Sequence, residues 1–334
     1  MKPIVLITRK VPEIARALLQ EAFELIEWME EEEPAPRSFL EKWIGEVDGL
    51  YCLLTDKIDE SLIARSNRLK VISTMAVGFN HIDVAAASKR GILVTHTPEV
   101  LTETTADLAF ALILATARRL VEASVFLREG QWKTWSPMLM TGQEVYGATL
   151  GIIGMGRIGE AVARRASGFD MKILYHNRNQ KPEAEMRLGM AYAGLEELLQ
   201  ASDFVVVLAP YTQETADMIR KEQLQLMKPS AILINVARGG IVNETDLYDA
   251  LQKGTIWAAG LDVFDTEPVP LDHPLLTLTN VVTLPHIGSA SIQTRMQMAL
   301  IAAQNLMKGL AGERPNFVVN PTAWSDVNTG QGKE

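Results

Sequence analysis

The sequence predicts an α/β chain of two doubly wound parallel-sheet domains, one inserted into the other. Three observations carry this. Short apolar runs alternate with amphipathic stretches, the pattern of βαβ units and parallel sheets. The alternation comes in two blocks, residues 1–98 and again from residue 149, with a long helical stretch between them. The length of 334 residues also exceeds the roughly 150 usual for one domain.

In the first block the strand candidates are Ile4–Thr8, Gly49–Leu54, Leu69–Ser73 and Ile92–Val94. Helical patterns lie between them around Glu13–Ala22, Ser38–Trp43, Glu60–Arg65 and Val84–Lys89. Glu30–Glu33 with Pro34-Ala35-Pro36 reads as a solvated loop. Few breakers interrupt Glu99–Glu129, so one helix is expected there, crossing between the domains. An aromatic loop follows from Gln131 to Tyr146, with Trp132, Trp135 and Pro137. The second block reads as strand Thr149–Ile153, helix Arg157–Gly168, strands Lys172–Tyr175, Phe204–Leu208 and Ala231–Asn235, helix Glu244–Gln252, and strands Ile256–Asp262 and Val281–Leu284. A long helix over Ala290–Lys308 and a polar tail, Ser325–Glu334, expected to be mobile, complete the chain. The second sheet opens after the first has ended, and a further helix follows it. The expected domains are therefore 1–98 plus 288–334, and 99–287.

Composition narrows the function. Hydrophobic residues at 47% and charged residues at 22% suit a globular chain rather than a disordered one. A net charge of −9 argues against sequence-independent binding of nucleic acid. The single cysteine, Cys52, allows neither an internal disulfide nor a thiolate cluster, and no metal site is expected. Ile4–Ile7 is too short for a signal-peptide core. Ala106–Ala117 is too short to span a bilayer and contains Asp107, so it reads as a buried helix. The expectation is a cytoplasmic protein with no membrane or nucleic-acid partner.

Strand Thr149–Ile153 runs straight into Gly154-Met155-Gly156-Arg157-Ile158-Gly159, which opens a helix. This strand–GxGxxG–helix context indicates a dinucleotide site. The first glycine makes the tight turn, the second admits the pyrophosphate, and the third lets helix and strand pack closely. The helix N-terminus attracts the phosphates. An acid about 20 residues past the glycines usually bonds the ribose 2′-hydroxyl of NAD. Here Asn177 stands 18 residues past Gly159, followed by Arg178. A carboxylate would repel a 2′-phosphate, whereas Asn does not and a guanidinium can pair with it. Lys181 would add charge. NADP(H) is the preferred reading over NAD(H), with a solvated surface arginine as the lesser alternative for Arg178.

Hydride transfer at a carbonyl carbon also needs a proton donor near neutral pH, for which histidine is best suited. The candidates are His81, His96, His176, His273 and His286. His286 stands out because it follows the last strand of the nucleotide domain, and doubly wound sheets place ligands at strand C-terminal ends. Arg238 follows another strand end and could bind a carboxylate or keto oxygen. Glu267 could pair with a histidine and favour its protonated form. Spacing alone does not prove that the three meet.

These residues carry a resemblance. Val77-Gly78-Phe79-Asn80-His81-Ile82-Asp83, the glycine fingerprint, Asn235–Gly240, Gly260–Pro268 and Pro285–Ser291 resemble, in order, the signatures of the D-isomer-specific 2-hydroxyacid dehydrogenases. Within that family the chain is most similar to glyoxylate/hydroxypyruvate reductases, with 2-ketogluconate reductases close by. The resemblance implies a Rossmann-type cofactor domain inserted into a flavodoxin-like substrate domain, and reduction of a small 2-ketoacid by NAD(P)H. It implies His286 as acid/base, Glu267 as its orienting partner, and Arg238 as the anchor that polarises the carbonyl. Leu53 and the amides of Val77 and Gly78 would contact substrate. Gly154, Met155, Gly156, Arg157 and Ile158 would line the pyrophosphate, and Asn177, Arg178 and Asn179 the adenine ribose. Asp262 would meet the nicotinamide carboxamide, and Thr104, Pro210, Val236, Ala237 and Gly288 would border the cofactor. The acid usual after the second strand is missing, which weighs against NAD. Formate dehydrogenases of this superfamily use glutamine where Glu267 stands, and phosphite-oxidising relatives carry lysine where Val77 stands.

The resemblance also implies a homodimer with the Gln131–Tyr146 loop at its interface, although the tryptophans there fit intramolecular packing equally well. In hydroxypyruvate-reducing relatives that loop can carry a tryptophan reaching into the partner's site. Leu139, within Met138–Met140, sits near that place, and its smaller side chain would admit a longer ketoacid. The fold also serves in NAD(H)-regulated corepressors that keep the catalytic residues, so a dinucleotide-sensing interaction protein is the alternative of a different class. The short tail leaves little room for partner-binding segments.

Overall fold

The computed structural model describes the backbone of residues 2–328 and the side chains of residues 2–324. The chain divides into two compact units, Met1–Leu101 with Ser291–Glu334, and Thr102–Ala290.

Among the described residues the first unit holds five parallel strands: β1 (Ile4–Ile7), β2 (Glu24–Glu27), β3 (Gly49–Cys52), β4 (Val71–Thr74) and β5 (Leu93–Thr95), in the order β2-β1-β3-β4-β5. That is the flavodoxin-like order. The inner strands β3 and β4 are buried throughout because helices cover both faces of the sheet. Leu6, Leu50, Ile72 and Val94 pack with Leu40, Ile44, Leu62 and Ala87 on one face. On β3 and β4, Tyr51 Oη and Ser73 Oγ donate to the Ala299 and Ala302 carbonyls of helix Ile292–Leu310, at 3.2 and 2.7 Å. The helix lies close because Gly309 faces Val71, whose Cγ2 a Cβ would meet at 2.8 Å. Strand β2 was not expected, since Glu24-Leu25-Ile26-Glu27 begins and ends on a charge. It forms at the sheet edge, where only one neighbour must be satisfied.

The second unit holds seven parallel strands: β6 (Thr149–Ile153), β7 (Lys172–His176), β8 (Met190–Tyr192), β9 (Phe204–Val207), β10 (Ile232–Asn235), β11 (Ala258–Leu261) and β12 (Val281–Thr283). Their order, β12-β11-β10-β9-β6-β7-β8, is the dinucleotide-fold order extended by one strand. The order reverses between β6 and β9, the switch point at which such sheets bind ligands. Strand β8 and the helices Pro182–Leu188, Leu195–Ala201 and Lys221–Leu226 had no clear sequence signal, each being seven residues or fewer.

The single helix expected over Glu99–Glu129 is two, Thr102–Ala117 and Leu120–Arg128. Arg119 breaks it with a left-handed φ of 52° while its guanidinium pairs with Glu122 at 2.7 Å. The Gln143 amide takes the Ala117 carbonyl at 2.9 Å. Gly142 lies so near that a Cβ would fall 2.0 Å from that oxygen, so the returning loop needs glycine there. The first of these helices is buried through Ala106, Ala109, Phe110, Leu112 and Ile113, as its composition implied. Among the described residues no helix is long and apolar enough to cross a membrane. The final long helix starts later than expected, because the Ser291 hydroxyl caps it by accepting from the Thr294 amide at 3.3 Å. The stretch read as a polar tail begins inside a helix, Pro321–Asn328, and its last residues, 329–334, lie outside the described residues.

Candidate active site

The second unit's strands deliver the candidate residues at their carboxyl ends. Gly154 follows β6, Asn177 follows β7, Pro210 lies just past β9, Arg238 past β10, Asp262 directly after β11, and His286 past β12.

At the first of these ends the backbone requires glycine. Gly154 has φ +98°, and a Cβ there would lie 2.4 Å from the Ala209 amide nitrogen. Gly159 would meet the Gly154 carbonyl at 2.7 Å, which holds helix Arg157–Ser167 tightly against the turn. Beside Gly156 there is open space, with no atom within 4 Å of the Cβ position. A turn sealed beneath and open above, at a helix N-terminus, fits a pyrophosphate. Met155 contributes only backbone, its side chain being fully buried in the core. Arg157 is exposed and Ile158 half-buried.

Asn177 is tied to this turn: its Oδ1 accepts from the Met155 amide at 2.8 Å and its Nδ2 donates to the Met155 carbonyl at 3.3 Å. Arg178 and Asn179 are exposed beyond it. The Arg178 charge helps hold the Glu214 carboxyl below its ordinary value, after the larger effect of the Thr212 hydrogen bond. The charge expected from Lys181 is not available: its ammonium pairs with Glu160 at 2.9 Å, and Arg187 binds the same carboxylate. That pairing could not be read from spacing, because Glu160 sits on the preceding helix.

At the other ends, Glu267 gathers the catalytic candidates. His286 Nδ1 lies 2.7 Å from Glu267 Oε2. An ionised carboxylate only accepts, so Nδ1 carries hydrogen and Nε2 is left with no protein partner among the described residues. Burial pushes the Glu267 carboxyl up, but the His286 hydrogen bond and charge, the Phe264 amide and the Arg238 charge outweigh it, and it stays below the ordinary carboxylate range. Burial draws the Arg238 guanidinium below its ordinary value, opposed by Glu267. Its Nη1 donates to the Ala237 carbonyl at 2.7 Å. His286 itself has a left-handed φ of 53°. Non-glycine residues held this way cluster where function requires the geometry.

Asp262 is 1% exposed, and burial pushes its carboxyl up. Its Oδ1 accepts from the Ile287 amide at 2.7 Å and the Gly288 amide also favours its charged form, whereas the buried Oδ2 meets no donor at hydrogen-bond geometry among the described residues. A buried acceptor left open is costly unless a donor arrives, and an amide N–H of a bound cofactor would serve. Val236, Ala237 and Gly288 are buried, Thr104 is half-buried near the start of helix Thr102–Ala117, and Pro210 is exposed. The donors and cradles thus fit a nicotinamide dinucleotide. Among the described residues no cluster of His, Cys, Asp or Glu is arranged to hold a metal ion.

Leu53, Val77 and Gly78 belong to the first unit, past the ends of β3 and β4, and all three are half-buried. The loop carrying Val77 is pinned on its carbonyl by His96 Nδ1 at 2.9 Å, and the Thr97 amide donates to Ala76 at 2.9 Å. His81 Nε2 lies 3.0 Å from Thr74 Oγ1. These two histidines therefore brace the loop.

Known proteins are similar to this chain in sequence and fold. A family profile described as D-isomer specific 2-hydroxyacid dehydrogenase, NAD binding domain, matches residues 110–288. The glyoxylate reductase of Korarchaeum cryptofilum is 51% identical over 321 residues, 96% of each chain. Among solved structures, an NADPH-dependent glyoxylate/hydroxypyruvate reductase from Sinorhizobium meliloti in complex with NADP and malonate is 34% identical. It has a TM-score of 0.85, covering 97% of this chain and 98% of that one. A D-lactate dehydrogenase from Aquifex aeolicus complexed with NAD and lactic acid is 30% identical, with a TM-score of 0.83 over 95% of this chain and 99% of that one. By profile, sequence and fold, the chain belongs to the D-isomer-specific 2-hydroxyacid dehydrogenases.

Proposed function

We propose that this protein is an NADPH-preferring reductase of small 2-ketoacids, with glyoxylate and hydroxypyruvate as substrates. The observation that carries it is the His286–Glu267 pair, 2.7 Å apart, with the Arg238 charge acting on the same carboxylate. The names of the Korarchaeum and Sinorhizobium relatives support the substrate class.

When bound, a reduced nicotinamide dinucleotide supplies the hydride to the carbonyl carbon. His286 gives the keto oxygen the proton on Nε2, and the C=O becomes the hydroxyl of the 2-hydroxyacid. Glu267 fixes the imidazole through Nδ1 and stabilises its charged form. Arg238 binds the carbonyl oxygen and carboxylate and stabilises the negative charge that builds on the oxygen. Leu53 and the amides of Val77 and Gly78 contact the substrate. Gly154, Met155, Gly156, Arg157 and Ile158 hold the pyrophosphate by backbone, Asn177, Arg178 and Asn179 the adenine ribose, and Asp262 the carboxamide through Oδ2. Thr104, Pro210, Val236, Ala237 and Gly288 border the cofactor. In this reading Thr102–Ala290 is the cofactor domain and the other unit the substrate domain. The single cysteine, buried and free, suits the cytoplasm.

Initial rates with NADPH against glyoxylate, hydroxypyruvate and 2-ketogluconate test the reading. The two smaller acids are expected to give the higher kcat/KM. A preference for 2-ketogluconate would make this the enzyme of that longer acid, and no turnover would favour a dinucleotide sensor.

The NADPH preference rests on Asn177 and Arg178, with no carboxylate where NAD sites carry one. Asn177→Asp is expected to lower kcat/KM with NADPH by about tenfold or more, because the new charge repels a 2′-phosphate. It keeps an oxygen for the Met155 amide and loses only the longer bond to the Met155 carbonyl, so activity with NADH should survive. Equal losses with both cofactors would contradict the assignment.

We further propose a homodimer paired through the face between residues 120 and 146. Leu120, Val121, Val125, Leu127, Trp132, Trp135 and Met138 are all exposed there. A groove of about 960 Å³ runs beside them, lined by Val121, Val125, Phe126, Trp257 and Val281. So many exposed large apolar side chains within one short stretch mark an interaction face. Light scattering should give twice the chain mass, and Val125→Glu should give the monomer; a monomeric wild type would refute the pairing.

A further inference from the structure

Two histidine–carboxylate pairs hang from one turn of the second unit. The Phe264 amide donates to Glu267 Oε1 at 3.0 Å, and the next amide, Asp265, donates to Glu244 Oε1 at 2.8 Å. The second oxygen of each carboxylate takes a histidine: Glu267 takes His286, and Glu244 takes His273 Nε2 at 3.0 Å. The Asp265 carboxylate reaches back to accept from the Gly240 amide. Beneath the turn, Gly239 passes so closely that a Cβ would fall 2.0 Å from the Phe264 carbonyl oxygen and 2.5 Å from the Asp265 nitrogen. The turn carrying Glu267 is thus clamped on the loop carrying Arg238.

The far end of the clamp is rigid. Glu244 is the first residue of helix Glu244–Gln252, capped by Asn243 Oδ1 on the Asp246 amide at 3.0 Å. His273 Nδ1 accepts from the Leu275 amide at 3.3 Å, at the start of the short helix Pro274–Thr277. With Nδ1 accepting, Nε2 must carry the hydrogen donated to Glu244. The ring stands edge-on to Phe264, centroids 6.0 Å apart. Both side chains are largely buried, at 19% and 14% exposed, and neither belongs to the catalytic set.

We propose that His273 and Glu244 are a positioning pair that fixes the Phe264–Glu267 turn, and with it the Glu267 carboxylate, against the loop of Arg238. The proposal rests on the reading of His286–Glu267 as the proton-donating pair. Its rival is that His273 merely caps the Pro274–Thr277 helix.

Two substitutions separate the roles, because an Asn amide reaches the place of Nδ1 and a Gln amide the place of Nε2. His273→Asn keeps the cap and drops the arm to Glu244. His273→Gln keeps the arm and drops the cap. The expected result is a fall in kcat on the order of tenfold for His273→Asn, since small misplacements near the chemistry are costly, with ketoacid KM within about twofold. His273→Gln should stay within about twofold of wild type in both. Glu244→Ala, which removes the arm from the other side and leaves the cap, should repeat the fall. A cap alone predicts the reverse order. Loss in His273→Gln as large as in His273→Asn, or wild-type kcat in both His273→Asn and Glu244→Ala, would overturn the proposal. His286→Asn is measured alongside: full activity there would refute the reading of His286, whereas its loss with His273→Asn and Glu244→Ala both silent would refute the brace alone.

Discussion

His286→Asn is expected to lower kcat by about 10²–10⁴-fold, the contribution of a positioned proton donor, with dinucleotide binding unchanged. Asparagine is the informative replacement for two reasons. It tolerates the left-handed backbone better than most residues, and the φ of 53° at this position demands that. Its side-chain amide can also take the place of Nδ1 against Glu267, which accepts at 2.7 Å. Only Nε2 is lost. Alanine would instead leave Glu267 without its histidine, and it tolerates the left-handed backbone less well than asparagine. Steady-state rates give kcat, and quenching of protein fluorescence by NADPH reports binding. Retention of kcat within about threefold would remove His286 from the chemistry.

Arg238→Gln is expected to reduce kcat/KM by on the order of 10²–10³-fold, the loss typical of one preorganised group at a developing oxyanion. The guanidinium is half-buried, one of its amines is fixed on the Ala237 carbonyl at 2.7 Å, and Glu267 balances its charge. A cation held this way needs no reorganisation when the carbonyl oxygen becomes negative. Glutamine can keep the bond to Ala237 but not the charge. Arg238→Lys restores charge without the planar fork, so it should recover only part of the loss. If Lys equals wild type, the fork does not bind carboxylate and carbonyl together; if Gln equals wild type, Arg238 does not act on the substrate.

Much of this arrangement was legible beforehand because its causes are local. A strand ending in Gly154-Met155-Gly156 has few other uses, and the structure shows why: Gly154 cannot carry a Cβ beside Ala209. Strand ends also place side chains regularly, so Arg238 and His286 could be expected at one edge of the second sheet, whereas Asp262 came only with the family resemblance. What stayed hidden depends on contacts distant in sequence. The break at Arg119 is made by Gly142 and Gln143 returning to the Ala117 carbonyl, which no helical periodicity reveals. Lys181 reads in the sequence as added charge near Arg178, whereas Glu160, on another helix, holds its ammonium. The His273–Glu244 contact joins residues 29 apart. His273 is one of the five candidate histidines of the sequence, but nothing there points to Glu244 as its partner. Asn177 was read for what it does not do, repel a phosphate, whereas its amide also binds both backbone groups of Met155.

The cofactor assignment reaches furthest from what the fold alone dictates, so the most direct test is the ratio of kcat/KM with NADPH to that with NADH, measured on glyoxylate with the wild-type enzyme. An exposed Arg178 beside an uncharged Asn177 predicts a ratio well above one. A ratio below one would contradict the account and leave the Arg178 guanidinium in solvent rather than on a 2′-phosphate.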